Sequence, residues 1–448
     1  MSENLFLEGN FAPVAEEVTA FDLEVKGEIP KQLEGRLLRI GPNPIAPVPE
    51  SHHWFLGNGM VHGLRLRDGK ALWYRNRYVV DDEVAEAKGL PSIETPSRED
   101  ALGEGVVNTN VIQHAGQTLA IVEAGSLPIE LDYELETIRR SDFGGTLIKG
   151  LSAHPIVDPD TGELHTAVYS PMSQTIQYVV VGKDGRVRKA IDVPVPGSPM
   201  VHSCMITKNY FIFLDLPVIL DPAVIEAGYS LPYKWHPEYG ARVGLLPRTG
   251  KAEDVTWHEV DPCYVFHPMN GYEDEGGRVV LDVIRHSEMF ASDMNGPTDG
   301  KSTLDRWLID PTGGPVQSDR LDDANQEFPR IDERRTGKAY RYGYTAGLGD
   351  DMTLGGLKKH DLKQGTSELH NEGDDRIFME PVFVPESPNA GEDEGWIMAY
   401  VYDRARDASD VVIFHAQDFE APPVATIRLP QRVPFGFHGN WVADEGSL

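Results

Sequence analysis

The chain has 448 residues, 40% of them apolar and 25% charged, and a formal net charge of -30. That balance suits a globular protein with ample core material and argues against a nucleic-acid backbone or an anionic membrane as partner. Two cysteines, Cys204 and Cys263, exclude a disulfide framework and a cysteine-built zinc site.

The N-terminal "MSENLFLEGN" lacks a basic segment followed by an apolar core, so no secretory signal is expected. Residues 61–80 alternate apolar and polar on both sides of Asp68-Gly69, which predicts a hairpin. A short helix is predicted near residues 82–87. Residues 175–193 repeat the hairpin pattern around Asp184-Gly185. The longest apolar stretch, residues 210–220, contains Asp215 and is too short to span a bilayer. A second short helix follows near residues 221–227. Residues 276–286 read as one strand, and residues 395–417 as a hairpin with a longer connection. The Pro-, Gly- and Asp-rich segment 384–395 is only loop-sized, and no low-complexity linker divides the chain. Many hairpins without a linker point to one large closed β architecture, a β-propeller or a pair of sandwiches. WD and kelch signatures are missing. Seven blades would take roughly 64 residues each, leaving room for long loops on one face.

Of fifteen histidines, His52, His53, His114, His165, His236, His258, His360 and His370 lie beside charged residues or turns and read as surface residues. Four others end an apolar or aromatic run next to Pro, Gly or Ser: His154 in "GLSAHPIVDP", His202 in "SPMVHSCMI", His267 in "CYVFHPMNGY" and His438 in "PFGFHGNW". Their separations are 48, 65 and 171 residues, the last about three times 57. One such histidine at the axial end of four blades would bring four imidazoles together. Each also fits a core histidine bonded to a backbone carbonyl, and spacing alone leaves both readings open. Imidazole favours iron, copper, zinc and nickel over magnesium or calcium. A dication held by four neutral ligands wants carboxylates on the outer ring nitrogens. Glu123 in "LAIVEAGSLP", Glu327 in "ANQEFPRID" and Glu380 in "RIFMEPVFVP" have apolar settings where a lone carboxylate is costly to bury. An outward position on an exposed strand is the competing reading.

At these residues the sequence resembles the carotenoid cleavage oxygenases, a family that includes apocarotenoid oxygenases, plant carotenoid dioxygenases, stilbene-cleaving oxygenases and the retinoid isomerase. The likeness runs in order through "RIGPNP", "HWFLGNGMVHG", "NTNV", "LSAHP", "MVHS", "FHPMN", "EFPRID", "EPVFVP" and "FHGNW", and looks most like bacterial, mycobacterial-type members. The resemblance implies an all-β, seven-bladed β-propeller over residues 1–448, with a dome of loops and short helices over the iron face. It implies one non-haem iron(II) on the axis, held by His154, His202, His267 and His438. Glu123, Glu327 and Glu380 would bond three of those histidines. Thr109 would stand by the open coordination position, its methyl limiting access, and Phe55 would touch the substrate.

The implied activity is a dioxygenase reaction in which dioxygen adds across one conjugated double bond and yields two carbonyl products. No organic cosubstrate is needed. Stilbene-cleaving relatives carry a phenol-binding lysine just before the glutamate that Glu123 matches. Here that position is Val122, which favours a carotenoid or apocarotenoid polyene over a stilbene. Stilbene or phenylpropanoid cleavage is the alternative, and a non-catalytic propeller scaffold is a further rival. A propeller hydrolase fits poorly, since no matching carboxylate and asparagine cluster, Walker A, HExxH or Gly-x-Ser-x-Gly motif occurs. The protein is expected in the cytoplasm, without a nucleic-acid or obligate protein partner. Residues 214–235 fit either a peripheral lipid contact or a strand and loop helix packed on the dome.

Overall fold

In the computed structural model, which describes residues 4–98, 104–349 and 354–444, the hairpin signals become antiparallel strand pairs. Gly59–Arg67 pairs with Lys70–Tyr78 across Asp68-Gly69, whose φ values are +50° and +73°. Positive φ at both central residues matches the twist of the flanking strands. Thr175–Val181 with Val187–Pro194, and Gly395–Asp403 with Ala408–His415, pair likewise. The short helices form at Asp82–Lys88 and Pro222–Glu226. Asp81 caps the first by accepting from Val84 N–H (2.9 Å), and Asp221 caps the second by accepting from Ala223 N–H (2.9 Å).

Seven antiparallel sheets of four to six strands stand around one axis as a seven-bladed β-propeller. In ring order their innermost strands are Gly439–Ala443, Asn110–His114, Ile156–Val157, Met205–Ile206, Pro268–Glu273, Gln326–Ile331 and Val382–Pro385. The first blade joins the two ends of the chain, because Gly439–Ala443 pairs with residues 35–39 of Gly35–Pro42. Full closure leaves no open sheet edge at the seam. The closing segment docks backbone to backbone. A Cβ on Gly41 would lie 2.5 Å from Gly436 Cα, and one on Gly439 would lie 2.6 Å from Leu38 O. Only glycine tolerates such approach, which explains the glycines of "RIGPNP" and "PFGFHGNW".

The core is distributed between blades. One large cluster joins the first, sixth and seventh blades, through residues such as Leu37, Tyr344, Leu357 and Trp396. A second joins the third, fourth and fifth, through Ala167, Phe211, Val243 and Val279. Phe55, on the loop before Gly59–Arg67, packs against both. The two-stranded pair Val218–Leu220 and Tyr233–Trp235 lies with that loop over the cavity described below, tied by Ser230 Oγ donating to Ser51 O (2.6 Å). Within residues 214–235, Leu214, Leu216, Val218 and Tyr233 are buried.

Most of the histidines read as surface residues are not on the surface. His52, His53, His114, His165, His258, His360 and His370 are buried, and His236 is half-buried between Asp221 and Glu238. Blades cover one another on both faces, so a charged sequence neighbour does not mark an exposed strand. Partners within the fold bond four of them. His114 Nε2 donates to Gly182 O (2.9 Å) and His370 Nδ1 to Phe419 O (2.8 Å). His165 Nδ1 bonds the Tyr178 hydroxyl (2.8 Å), and His360 Nε2 bonds the Thr345 hydroxyl (3.1 Å).

Candidate metal centre

The propeller repeats one position seven times. At the start of each innermost strand, in the ring order above, stand His438, Thr109, His154, His202, His267, Glu327 and Glu380. Strands that converge on an axis bring these positions together whatever their separation in sequence. Glu123, the eighth residue, follows Gln117–Ile121 of the second blade.

The four imidazoles meet through Nε2. His154 Nε2 lies 2.8 Å from His438 Nε2 and 3.2 Å from His267 Nε2, and His202 Nε2 lies 3.3 Å from His267 Nε2. All four ligand atoms fall within 4.8 Å of one another. Each Nδ1 turns outward. That of His154 donates to His202 O (2.8 Å), that of His267 to Glu327 (2.6 Å) and that of His438 to Glu380 (2.9 Å); that of His202 sits 3.2–3.3 Å from the Glu123 oxygens. A carbonyl only accepts, so the His154 proton is on Nδ1 and its Nε2 is a bare lone pair. The carboxylates impose the same tautomer on the others. Four converging lone pairs repel unless a cation lies among them. Imidazole ligands about 2.0–2.1 Å from a first-row dication, at right angles, would be about 3 Å apart. The donor set therefore fits a transition-metal ion.

Electrostatics suits the cluster to a cation. Burial, reinforced by the neighbouring histidines, holds His154 well below the ordinary histidine pKa. Burial lowers His438 to about 4, with Glu380 opposing and His267 and His202 adding to the shift. Burial would raise Glu327 and Glu380, but their partners win. His267 and His286 hold Glu327 well below the usual carboxylate range, and His438 and Arg330 bring Glu380 to about 2. Neutral imidazoles backed by ionised carboxylates are the state a dication binds.

A cavity of about 480 Å³ opens onto the cluster, with His202, His267 and His438 in its wall and Phe55, Val122, Phe266, Phe328 and Phe437 beside them. Phe55 lies 6.4 Å from His202, ring centre to ring centre. Thr109 also lines the cavity. Its hydroxyl donates to Asn108 Oδ1 (2.9 Å), which commits its one proton within the protein. Asn108 Nδ2 in turn donates to Phe55 O (2.9 Å) and Gly57 O (2.6 Å), fixing the aromatic and the threonine to each other.

All ten residues singled out in the sequence meet around this cluster and cavity. Four others were missed. His286 Nε2 donates to the free oxygen of Glu327 (3.1 Å) and reaches the cavity wall. Its signal was available, since it ends the apolar run "VVLDVIRH" as the four ligand candidates end theirs. Asn108 and Arg330 stand inside the quoted stretches "NTNV" and "EFPRID" but were not singled out, because their partners lie elsewhere in the fold, and Tyr233 on the cavity wall gave no signal.

The chain matches the family described as Retinal pigment epithelial membrane protein over residues 11–443. It is 45% identical to the carotenoid cleavage oxygenase of Mycobacterium tuberculosis, over 98% of each chain. It is 32% identical to carotenoid 9,10(9',10')-cleavage dioxygenase 1 of Phaseolus vulgaris, over 98% of this chain and 90% of that one. The crystal structure of Pseudomonas brassicacearum lignostilbene dioxygenase superposes with a TM-score of 0.89 at 27% identity, over 99% of this chain and 100% of that one.

Proposed function

This chain belongs to the retinal pigment epithelial membrane protein family of carotenoid oxygenases and is an oxygenase; on that premise we propose that it is a non-haem iron(II) dioxygenase. Its substrate in this reading is a carotenoid or apocarotenoid, and one conjugated double bond is cleaved into two carbonyl products. The observation that carries the reading is the set of four inward Nε2 lone pairs beside an apolar cavity of about 480 Å³.

His154, His202, His267 and His438 would hold the ion, with Glu123, Glu327 and Glu380 keeping three of them in the ligating tautomer. A ferrous ion bound there supplies the reactivity toward dioxygen that a polyene and side chains lack. The chain itself positions and excludes. Phe55, Phe266, Phe328 and Phe437 offer flat walls that hold a conjugated chain with one double bond beside the histidines. Thr109 narrows the approach through its methyl. One dioxygen and one double bond balance two carbonyls, so no cavity residue has to move a proton.

Val122, apolar where stilbene-cleaving relatives carry lysine, supports a polyene. The second reading, cleavage of a stilbene or phenylpropanoid, draws on the superposition with the lignostilbene dioxygenase and on Tyr233. That tyrosine lines the cavity beside Tyr169, so the wall offers two phenolic side chains to a phenolic substrate. Residues 1–448 are read as one propeller oxygenase unit because the last strand completes the first sheet. Leu5, Val48, Leu56, Ile225 and Tyr229 are exposed on segments joined by Asn4 Nδ2 donating to Pro49 O (2.9 Å) and by the Ser230–Ser51 bond. Such a face supports peripheral collection of an apolar substrate from lipid. Among the described residues no helix is long and apolar enough to cross a membrane.

Anaerobic reconstitution with iron(II), followed by metal analysis, tests the reading. Iron near one per chain is expected, and iron far below that contradicts it.

A further inference from the structure

We infer that Arg330 is a positioning residue of the metal site: its guanidinium ties the Glu380 carboxylate to the backbone around His438 and supplies a positive charge that the cluster needs. The inference rests on the iron reading above.

The local fold goes out of its way to deliver this side chain. Glu327 and Arg330 are three residues apart, and on a regular strand they would face opposite sides. The register against Tyr342–Leu348 shifts between them, Glu327 opposing Ala346 and Arg330 opposing Tyr344. The extra residue forms a bulge, and Phe328 within it has φ of +55°. Both charged side chains then emerge on the axial side. A buried phenylalanine in the left-handed region is strained, and such strain persists where its surroundings require it.

The guanidinium joins three blades at His438. Arg330 Nη1 donates to Gly439 O (2.8 Å) and lies 3.3 Å from Glu380 Oε1. Its Nη2 donates to Asn440 Oδ1 (3.0 Å) and to Glu333 (2.6 Å). Glu380 accepts from His438 Nδ1 (2.9 Å) and from Gly439 N–H (2.7 Å). Asn440 Nδ2 continues to Asn110 Oδ1 (2.9 Å), beside Thr109. Thus the residue that orients His438 and the backbone that carries it are both held by one cation. Charge calls for the same residue. A dication with three carboxylates leaves one negative charge in excess, and buried charge is unfavourable unless paired. The Glu380 side chain is 2% exposed and that of Arg330 14%, whereas that of Glu333 is 69% exposed and solvated.

The test measures iron retained by the full chain against a fixed concentration of a ferrous chelator, with the melting point of the metal-free protein as control. Arg330→Met is expected to retain iron about 10- to 100-fold less well, the range for lost outer partners of a metal ligand. Arg330→Lys should recover most of that loss. Because Arg330 acts through the Glu380 charge, Arg330→Met combined with Glu380→Gln should retain iron as Glu380→Gln alone does. Wild-type retention in Arg330→Met, or losses that multiply in the double variant, would overturn the inference. If Arg330→Met does not fold, the double variant, which leaves no unpaired carboxylate, and Arg330→Lys decide the matter. A wild-type chain that takes up no iron overturns the metal reading and the inference with it.

Discussion

His154 Nε2 and His438 Nε2 lie 2.8 Å apart with no proton to share, because the outer nitrogen of each donates away, to His202 O and to Glu380. An arrangement that is repulsive within the protein alone becomes favourable around a cation. Removing one member should therefore cost the ion. In His202→Ala, metal analysis is expected to find little iron and product analysis no turnover, while the melting point of the metal-free protein stays near wild type. Full iron occupancy with turnover would exclude His202 as a ligand.

Acid should weaken the metal-free protein in a defined window. The folded-state pKa of His438 is about 4 and those of His53 and His62 about 3, all below the ordinary value of 6.5, with burial the first cause in each. Between those values the unfolded chain binds the proton and the folded chain does not. Stability is thus fully present above pH 6.5 and falls as pH drops toward 4, by up to about 1.4 kcal/mol per pH unit for each such group. Glu380, depressed to about 2, adds its loss below pH 4.5. Thermal melting of metal-free protein across pH 7.5 to 4 should show a steady decline, and a flat profile would contradict the buried neutral state.

The C-terminus gives a separable pair of outcomes. Deleting the final fifteen residues removes His438 together with buried Phe435, Phe437 and Val442 and the closing strand Gly439–Ala443; residues 445–448 of that deletion lie outside the described residues. Each buried side chain is worth about 1.5–3 kcal/mol, so the truncated chain should lose its cooperative melting transition as well as its iron. His438→Ala should lose iron and keep the transition. Equal melting of the two variants would show that the seam does not hold the ring.

Substrate choice is addressed at Val122. Val122→Lys places an amine on the cavity wall beside Glu123. Cleavage of a hydroxystilbene should appear, read by its aldehyde products, and turnover of a hydrocarbon polyene should fall. Unchanged preference would show that the phenol pocket needs more than this residue.

An all-β architecture and the grouping of four histidines were legible from local signals, whereas the seven-bladed propeller came only with the family resemblance. Hairpins carry their turns with them, as at Asp68-Gly69, and His154, His202, His267 and His438 each sit at a strand end marked by an apolar run. What failed was burial on blade faces. His165 and His370 have polar sequence neighbours yet pack between blades, a property of the ring that no window of sequence holds. The support for His438 was hidden for a related reason. Arg330 reaches it through a bulge at Phe328, and a pattern with a period of two assigns that side chain to the wrong face.

The central claim is most directly tested by mass spectrometry of products from iron-loaded protein given oxygen and a panel of carotenoids, apocarotenals and stilbenes. The account predicts two carbonyl fragments whose masses together equal one polyene plus one dioxygen, formed only when iron is present. An intact polyene after incubation with fully iron-loaded protein, or the same fragments from iron-free protein, would contradict it.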